Sequence, residues 1–121
     1  MLVEMIALML VSQQPVQPIN EGMASYYTVG SSSTITASGE RMRDDAYTCA
    51  MLEGEFGEYF LVVAENANSV VVKLNDRGPY LKNRVIDLSK AAMRALHPQD
   101  GLLQVKVYPL GKNPAVGALL N

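Results

Sequence analysis

The feature that most constrains the fold is a series of short apolar and β-branched runs, each bounded by glycine, proline or small polar residues. Runs of this length and composition are typical of β-strands, whereas a helix needs apolar residues at intervals of three and four over a longer stretch. The run at residues 69–74 is the clearest, and the last run alternates as a half-buried strand should. The runs that predict strands are residues 24–29, 59–64, 69–74, 85–88 and 102–109.

Residues 90–96 form the one stretch with helix-forming character. Ser89 supplies a side-chain oxygen that can cap the first turn, and Pro98 follows the last turn. Several short strands and one small helix predict an all-β fold, a compact β-barrel. We expect the barrel to occupy residues 21–110, between an apolar N-terminal segment at 1–20 and a C-terminal tail at 111–121 whose role the sequence leaves open.

Charge and cysteine content exclude several classes of protein. The chain has 10 Lys and Arg against 12 Asp and Glu, without the basic excess that generic binding to nucleic acid or anionic membranes requires. One cysteine, Cys49, cannot form an internal disulfide, and with one histidine, His97, it cannot supply a zinc cluster of the usual type. We therefore expect no nucleic-acid partner, no metal and no cofactor.

The local charge is uneven. Residues 73–94 hold six Lys and Arg against two Asp. Such a stretch is most often an ordinary solvated face, and the alternative is a shallow anion-attracting surface around Asp76.

Residues 1–11 are apolar except for Glu4. As a helix they would be about 16 Å long, which is about half the hydrocarbon core of a bilayer, so no transmembrane span is predicted. Two interpretations stay open. The segment is either a secretory signal, although Glu4 stands where a basic residue is expected, or an apolar element that docks on a partner subunit and so forms a homo- or hetero-oligomer.

The motif that most suggests a catalytic site is NDRGP at residues 75–79, directly after the clearest predicted strand. A carboxylate at a strand end is rigidly held, and Gly-Pro turns the chain away from it. Arg77 is expected on the opposite face from Asp76, because neighbouring residues of a strand point in opposite directions. Asp76 is therefore a candidate acid or base, and the structural alternative is an Asx turn in which it accepts backbone N–H bonds.

Three other residues have structural interpretations that we favour. Asp87 lies between apolar residues, where an ion pair with Arg84 or Arg77 is expected. Cys49 has no base beside it in the sequence and is predicted to be a buried, inert thiol. His97 follows the predicted helix, where a role at the helix end or on the surface is expected.

Taken in order, these motifs resemble the rare lipoprotein A (RlpA-like) family of double-psi β-barrels. The resemblance covers residues 22–110 and rests on the ordered set of strings. The strings are GMASYY at 22–27, TASGE at 36–40, YTCA at 47–50, VVVKLNDRGP at 70–79 and RVIDLS at 84–89.

The resemblance implies a six-stranded double-psi barrel, here with one short helix, whose cleft binds peptidoglycan glycan strands. Active members look like lytic transglycosylases, which cleave between N-acetylmuramic acid and N-acetylglucosamine and leave a 1,6-anhydro ring instead of adding water. The family's catalytic aspartate corresponds to Asp76. The implied location is extracytoplasmic, in the cell envelope or secreted, or else in a phage particle. The candidate substrate-binding residues are Ser25, Tyr27, Ser38, Arg77 and Tyr80.

The chain departs from the family pattern at one catalytic position. The family has a histidine in the string Thr-Ala-Ala-His, and Met51 stands there in this sequence. A thioether has no titratable proton, so Met51 cannot act as acid or base. The carboxylates that could assist Asp76 instead are Glu40, Glu53 and Glu55. Two hypotheses follow: a transglycosylase that works without the histidine, or a non-catalytic glycan-binding or structural module, for example in a phage particle.

Overall fold

The computed structural model describes residues 16–31 and 34–120, and its strands close into a barrel. Within these described residues two short α-helices accompany the strands: α1 (Lys90–Leu96) precedes the last strand, and α2 (Ala115–Leu120) follows it. A 3-10 turn spans Val29–Ser31. The strands are β1 (Asn20–Tyr26), β2 (Thr48–Ala50), β3 (Tyr59–Ala64), β4 (Ser69–Asp76), β5 (Arg84–Leu88) and β6 (Leu103–Gly111).

The order of strands around the barrel is β1, β5, β2, β4, β3, β6 and back to β1. The pairs β1–β5 and β2–β4 are parallel, and the other four pairs are antiparallel. Because the sheet closes on itself, it leaves no unpaired edge, which small β-proteins otherwise need to protect. The predicted all-β fold with six strands is confirmed.

The core fills the barrel and extends beneath α1. Ser89 caps this helix by accepting a hydrogen bond from the backbone N–H of Ala92, as its position before the helix predicts. Burying this many apolar side chains is the main favourable contribution to the stability of such a small fold. The largest fully buried side chains are Phe60, Met51, Leu74, Ile86, Leu88, Met93, Leu96, Val62, Val71, Val72, Val105 and Val107.

Three elements differ from the sequence-based prediction. Strand β1 lies nearer the N-terminus than predicted, at Asn20–Tyr26 instead of residues 24–29. Strand β2 was not predicted, because three residues are too few to show a period, and it is held by hydrogen bonds to strands on both sides. The expectation of one short helix is too low by one, since α2 forms in the tail. Gly117 of α2 lies against Tyr59, where a Cβ atom would be 3.1 Å from the ring. The absence of a side chain therefore lets the helix approach the barrel.

The predicted apolar element at residues 1–11 lies outside the described residues, so its two interpretations stay predictions. Within the described part of the chain, no helix is both long and apolar enough to cross a bilayer.

Candidate functional site

A row of four residues crosses four adjacent strands on one face of the sheet. Ser25 of β1 pairs with Asp87 of β5, Asp87 pairs with Ala50 of β2, and Ala50 pairs with Asp76 of β4. Paired residues of neighbouring strands share a face. In β1, β2 and β5 residues adjacent to the row belong to the core, and in β4 the nearest core residue lies two positions before Asp76, so the row faces out of the barrel. Those core residues are Ala24, Cys49, Met51, Leu74, Ile86 and Leu88.

The row holds two carboxylates with one alanine between them. Two strand spacings place the Cα atoms of Asp76 and Asp87 about 10 Å apart. Ala50 has a small side chain and is only 4% exposed, so it forms a low floor between the two acids. A ligand lying over Ala50 would have one carboxyl group on each side.

A bulge in β4 turns Asp76 toward this row. Leu74 pairs with Cys49 and Asp76 pairs with Ala50, which leaves Asn75 as the extra residue. In a regular strand Asp76 would share the face of Leu74, which is fully buried in the core. The extra residue reverses that orientation, which is a common use of bulges near functional sites.

The carboxylate of Asp76 is fixed through one of its two oxygens. Oδ1 accepts hydrogen bonds from the backbone N–H groups of Ala37 and Arg77, each at 2.9 Å. The Asx-type contacts proposed as the structural alternative are therefore present. Among the described residues no donor contacts Oδ2, so the second oxygen is left for a ligand.

Asp87 is the second acid of the row, and burial raises the pKa of its carboxyl group. The hydroxyl of Ser25 donates a hydrogen bond to Oδ1 at 3.2 Å, which works in the opposite direction. The charge of Asp76 raises the pKa further, as expected for two acids that share one surface. An acid with a raised pKa keeps its proton to a higher pH than an ordinary aspartate, which suits general acid catalysis.

The predicted ion pair of Asp87 is wrong for the described residues, where no Arg or Lys approaches its carboxylate to ion-pair distance. Arg77 is occupied elsewhere, and Arg84 affects Asp87 only through its charge. The sequence alone favours a structural role for Asp87 and does not indicate its place in this row. The available signal was the alternation in VIDL at residues 85–88, which places the acid opposite its buried neighbours.

Tyr27 lies beside the row, directly after the last residue of β1. Its hydroxyl and that of Thr48 are 2.6 Å apart in a hydrogen bond. Burial raises the pKa of Tyr27 to about 12, and the nearby charges of Asp87 and Asp76 add to the increase. The phenol therefore stays protonated at every physiological pH and acts as a neutral hydrogen-bonding group.

The loop that carries Ser38 and Glu40 is held by its own hydrogen bonds. The hydroxyls of Thr36 and Ser38 are 2.9 Å apart, and Ser38 also accepts from the backbone N–H of Glu40. The carboxylate of Glu40 forms an ion pair with Lys73 at 2.7 Å. Both predicted site residues thus hold the loop whose Ala37 N–H fixes Asp76.

Glu53 and Glu55 bind partners away from Asp76. Glu53 accepts a hydrogen bond from the side chain of Asn20 at 3.2 Å. Glu55 forms an ion pair with Lys112, which lowers the pKa of its carboxyl group. Both side chains are exposed, and neither belongs to the row of paired residues.

Arg77 and Tyr80 follow the bulge. The guanidinium of Arg77 donates to the backbone carbonyls of Met51, Glu53 and Gly54, at 3.2, 3.0 and 2.8 Å. This residue therefore fastens the loop after β2. Tyr80 follows a cis Gly78–Pro79 peptide and is 79% exposed, so its ring is available to a ligand.

Three other residues have a plain structural setting. Met51 is fully buried in the core. Cys49 is also buried, which raises the pKa of its thiol, as expected for an inert cysteine. The ring of His97 accepts hydrogen bonds from the backbone N–H groups of Gln99 and Asp100 after the helix. In the described residues no group of three His, Cys, Asp or Glu side chains is arranged to hold a metal ion.

Comparison with known proteins gives a consistent family. A family model described as lytic transglycolase matches residues 19–107. The chain is 41% identical over 97 residues to the probable endolytic peptidoglycan transglycosylase RlpA of Treponema pallidum (strain Nichols), covering 78% of this chain and 30% of the relative. The corresponding protein of Synechocystis sp. is 44% identical over 82 residues, covering 67% and 26%. The chain thus spans less than a third of the length of these relatives.

Solved structures show the same fold. The apo structure of an expansin from Clavibacter michiganensis matches with a TM-score of 0.60 at 21% identity, covering 77% of this chain and 50% of the expansin. A mutant of that expansin in complex with cellohexaose matches with a TM-score of 0.57 at 20% identity, covering 74% and 49%.

Proposed function

The chain belongs to the RlpA-like family of double-psi β-barrels, and from this premise we propose that it cleaves peptidoglycan glycan strands as a lytic transglycosylase. The observation that carries the proposal is the pair Asp76 and Asp87 on one outward face, on either side of Ala50. Relatives that share 41–44% identity are named as peptidoglycan transglycosylases. Acting on this substrate implies a location in the cell envelope or outside the cell.

The reaction needs a proton donor and then a proton acceptor, and the two carboxyl groups supply both. A proton from the pair passes to the glycosidic oxygen as the bond from that oxygen to C1 breaks. The 6-hydroxyl oxygen of the same muramic acid residue forms the new bond to C1, and its proton returns to the pair. No water is consumed, and the pair ends in its initial protonation state.

The two acids have different surroundings, which assigns different parts to them. Asp76 is the acid/base that contacts the reacting atoms, since Oδ1 is fixed by backbone N–H groups and Oδ2 has no donor among the described residues. Asp87 is oriented by Ser25, and its raised pKa lets it keep its own proton to a higher pH than an ordinary aspartate does. Tyr27 and the exposed Tyr80 are the proposed sugar contacts beside them.

The test is digestion of bacterial sacculi, with soluble products identified by mass spectrometry. The wild-type protein is expected to release anhydro-muropeptides, and Asp76→Asn and Asp87→Asn are each expected to reduce the rate by about 10²-fold or more. Asp45→Asn is the matched control, because this exposed aspartate pairs with Arg43 in a surface loop away from the row. Release by Asp76→Asn at the wild-type rate would refute the proposed role of the pair.

One observation favours a second function, binding without cleavage. The position of the family histidine is occupied by Met51, which is buried in the core and contributes nothing to the surface of the site. An expansin with the same fold is known in complex with cellohexaose, a sugar chain. Under this alternative, wild-type protein would sediment with sacculi and release no anhydro-muropeptides at any pH.

A further inference from the structure

The basic stretch at residues 73–94 contains four half-buried cations and two exposed ones, Lys82 and Lys90. Half-buried cations normally have partners, because a charge removed from water must be compensated. Three of the four do. Lys73 pairs with Glu40, Arg77 bonds three backbone carbonyls, and Arg94 donates to two carbonyls and lies over the ring of Tyr26.

Arg84 is the exception. Its guanidinium makes no hydrogen bond, ion pair or ring contact with any described residue. Its nitrogen atoms are nevertheless accessible to solvent. A fully buried nitrogen without a hydrogen bond would stand out as unsatisfied, and no Arg84 nitrogen does. Five N–H donors are therefore left available to a ligand.

A second bulge places Arg84 on the same face as the two acids. Met23 pairs with Arg84 and Ala24 pairs with Ile86, so Val85 is the extra residue of β5. Gly22 makes room for it, because a Cβ atom there would be only 2.7 Å from the side chain of Val85. The bulge directs Arg84 outward, although regular alternation would give it the inward face of Ile86.

The charge of the guanidinium acts on Asp87, one of the two acids, across a distance too long for an ion pair. Its charge opposes the increase in the pKa of Asp87, yet no ion pair forms. Two carboxylates on one face would repel an anionic ligand, and an unpaired cation beside them reverses that effect locally. Guanidinium groups bind carboxylates through two parallel hydrogen bonds, which fixes both the position and the orientation of the ligand.

We propose that Arg84 binds a carboxylate group of the glycan substrate beside Asp76 and Asp87, and so selects acidic sugar chains over neutral ones. This inference rests on the proposed glycan-directed function. In peptidoglycan the carboxylate has two possible sources: the lactyl group of a muramic acid residue without a peptide, or the stem peptide attached to that group. Arg84 is a specificity residue in this scheme, and the bond-breaking step belongs to the acid pair.

The test is calorimetric titration in an Asp76→Asn background, so that no ligand is cleaved. Three tetrasaccharides of alternating N-acetylglucosamine and N-acetylmuramic acid are compared: one with free lactyl carboxylates, one with those groups amidated, and one with stem peptides. A carboxylate-bearing ligand is expected to bind about tenfold more tightly than the amidated one. The ligand that shows the gain identifies the source of the carboxylate.

Arg84→Gln is expected to remove this difference while affinity for the amidated ligand stays the same, which also shows that the variant is folded. Arg84→Lys should retain part of it, because the charge remains but the paired geometry is lost. Lys82→Gln is the matched control, since it removes the same charge from an exposed position two residues away. The Lys82→Gln variant should keep the full difference in affinity between the carboxylate-bearing and the amidated ligand.

The outcomes separate this inference from the function on which it rests. If all ligands bind but Arg84→Gln keeps the difference, or Lys82→Gln loses as much, the assignment to Arg84 is overturned and the glycan-directed function stands. If none of the three ligands binds, the proposed function itself is overturned, and the inference falls with it.

Discussion

The β3–β4 hairpin and the bulged ends of β4 and β5 are built differently, although β4 belongs to both. In the hairpin, β3 pairs residue by residue with residues 69–73, and its side chains alternate between half-buried and buried. Beyond residue 74, β4 contains one bulge, and β5 contains another near its start. The regularly paired residues supply side chains to the core, and the two bulges bring Asp76 and Arg84 to the outward face. Core packing and the candidate site therefore occupy different parts of the same strands.

The largest expected effect removes core from the regular region. Phe60→Ala in β3 should lower the free energy of unfolding by about 3–5 kcal/mol, because Phe60 is only 1% exposed and its loss leaves a cavity. Chemical denaturation followed by circular dichroism measures this. A loss below about 1 kcal/mol would show that the hairpin does not carry the core as described.

Met51→His tests whether residue 51 belongs to the core or to the outward face that carries the acids. Because the position is fully buried, an imidazole there should lower the free energy of unfolding by about 1–3 kcal/mol, the cost of a buried polar group without a partner. It should not increase glycan cleavage. The control is Met51→Leu, which should change stability by less than about 1.5 kcal/mol. A stable Met51→His protein with faster cleavage would place this residue in the site instead of the core.

Asp87→Asn should have a smaller effect, and one that depends on pH. The pKa of Asp87 is raised in the folded state, so the folded protein binds more protons than the unfolded chain between the unfolded and folded pKa values. Wild-type stability therefore falls as pH rises through that window, and Asp87→Asn lacks this loss. In thermal unfolding, the Tm of the variant relative to that of wild type should increase between acidic and neutral pH. A constant difference in Tm across this range would contradict the raised pKa.

The hairpin could be predicted from sequence, and the geometry of the site only in part. Residues 59–64 and 69–74 show their strand character directly, and the turn between them is marked by small polar residues. Asp76 stood out because it follows the strongest strand and matches a family motif. The orientation of Asp76 and Arg84 could not be predicted, because a bulge adds one residue without changing composition. The positions of Asp76 and Asp87 on either side of Ala50 could not be predicted either, because they depend on β2, a strand too short to show a pattern.

The most direct test of the shared acid site is a carbon-13 NMR titration of the Asp87 carboxyl group in wild type and in Asp76→Asn. In the wild-type protein the pKa of Asp87 should lie above the ordinary aspartate value of about 3.9. In Asp76→Asn it should be lower than in wild type but still raised, since burial is the larger cause and the charge of Asp76 the smaller one. An ordinary pKa in the wild type, or the same pKa in both proteins, would show that the two carboxyl groups do not form one site.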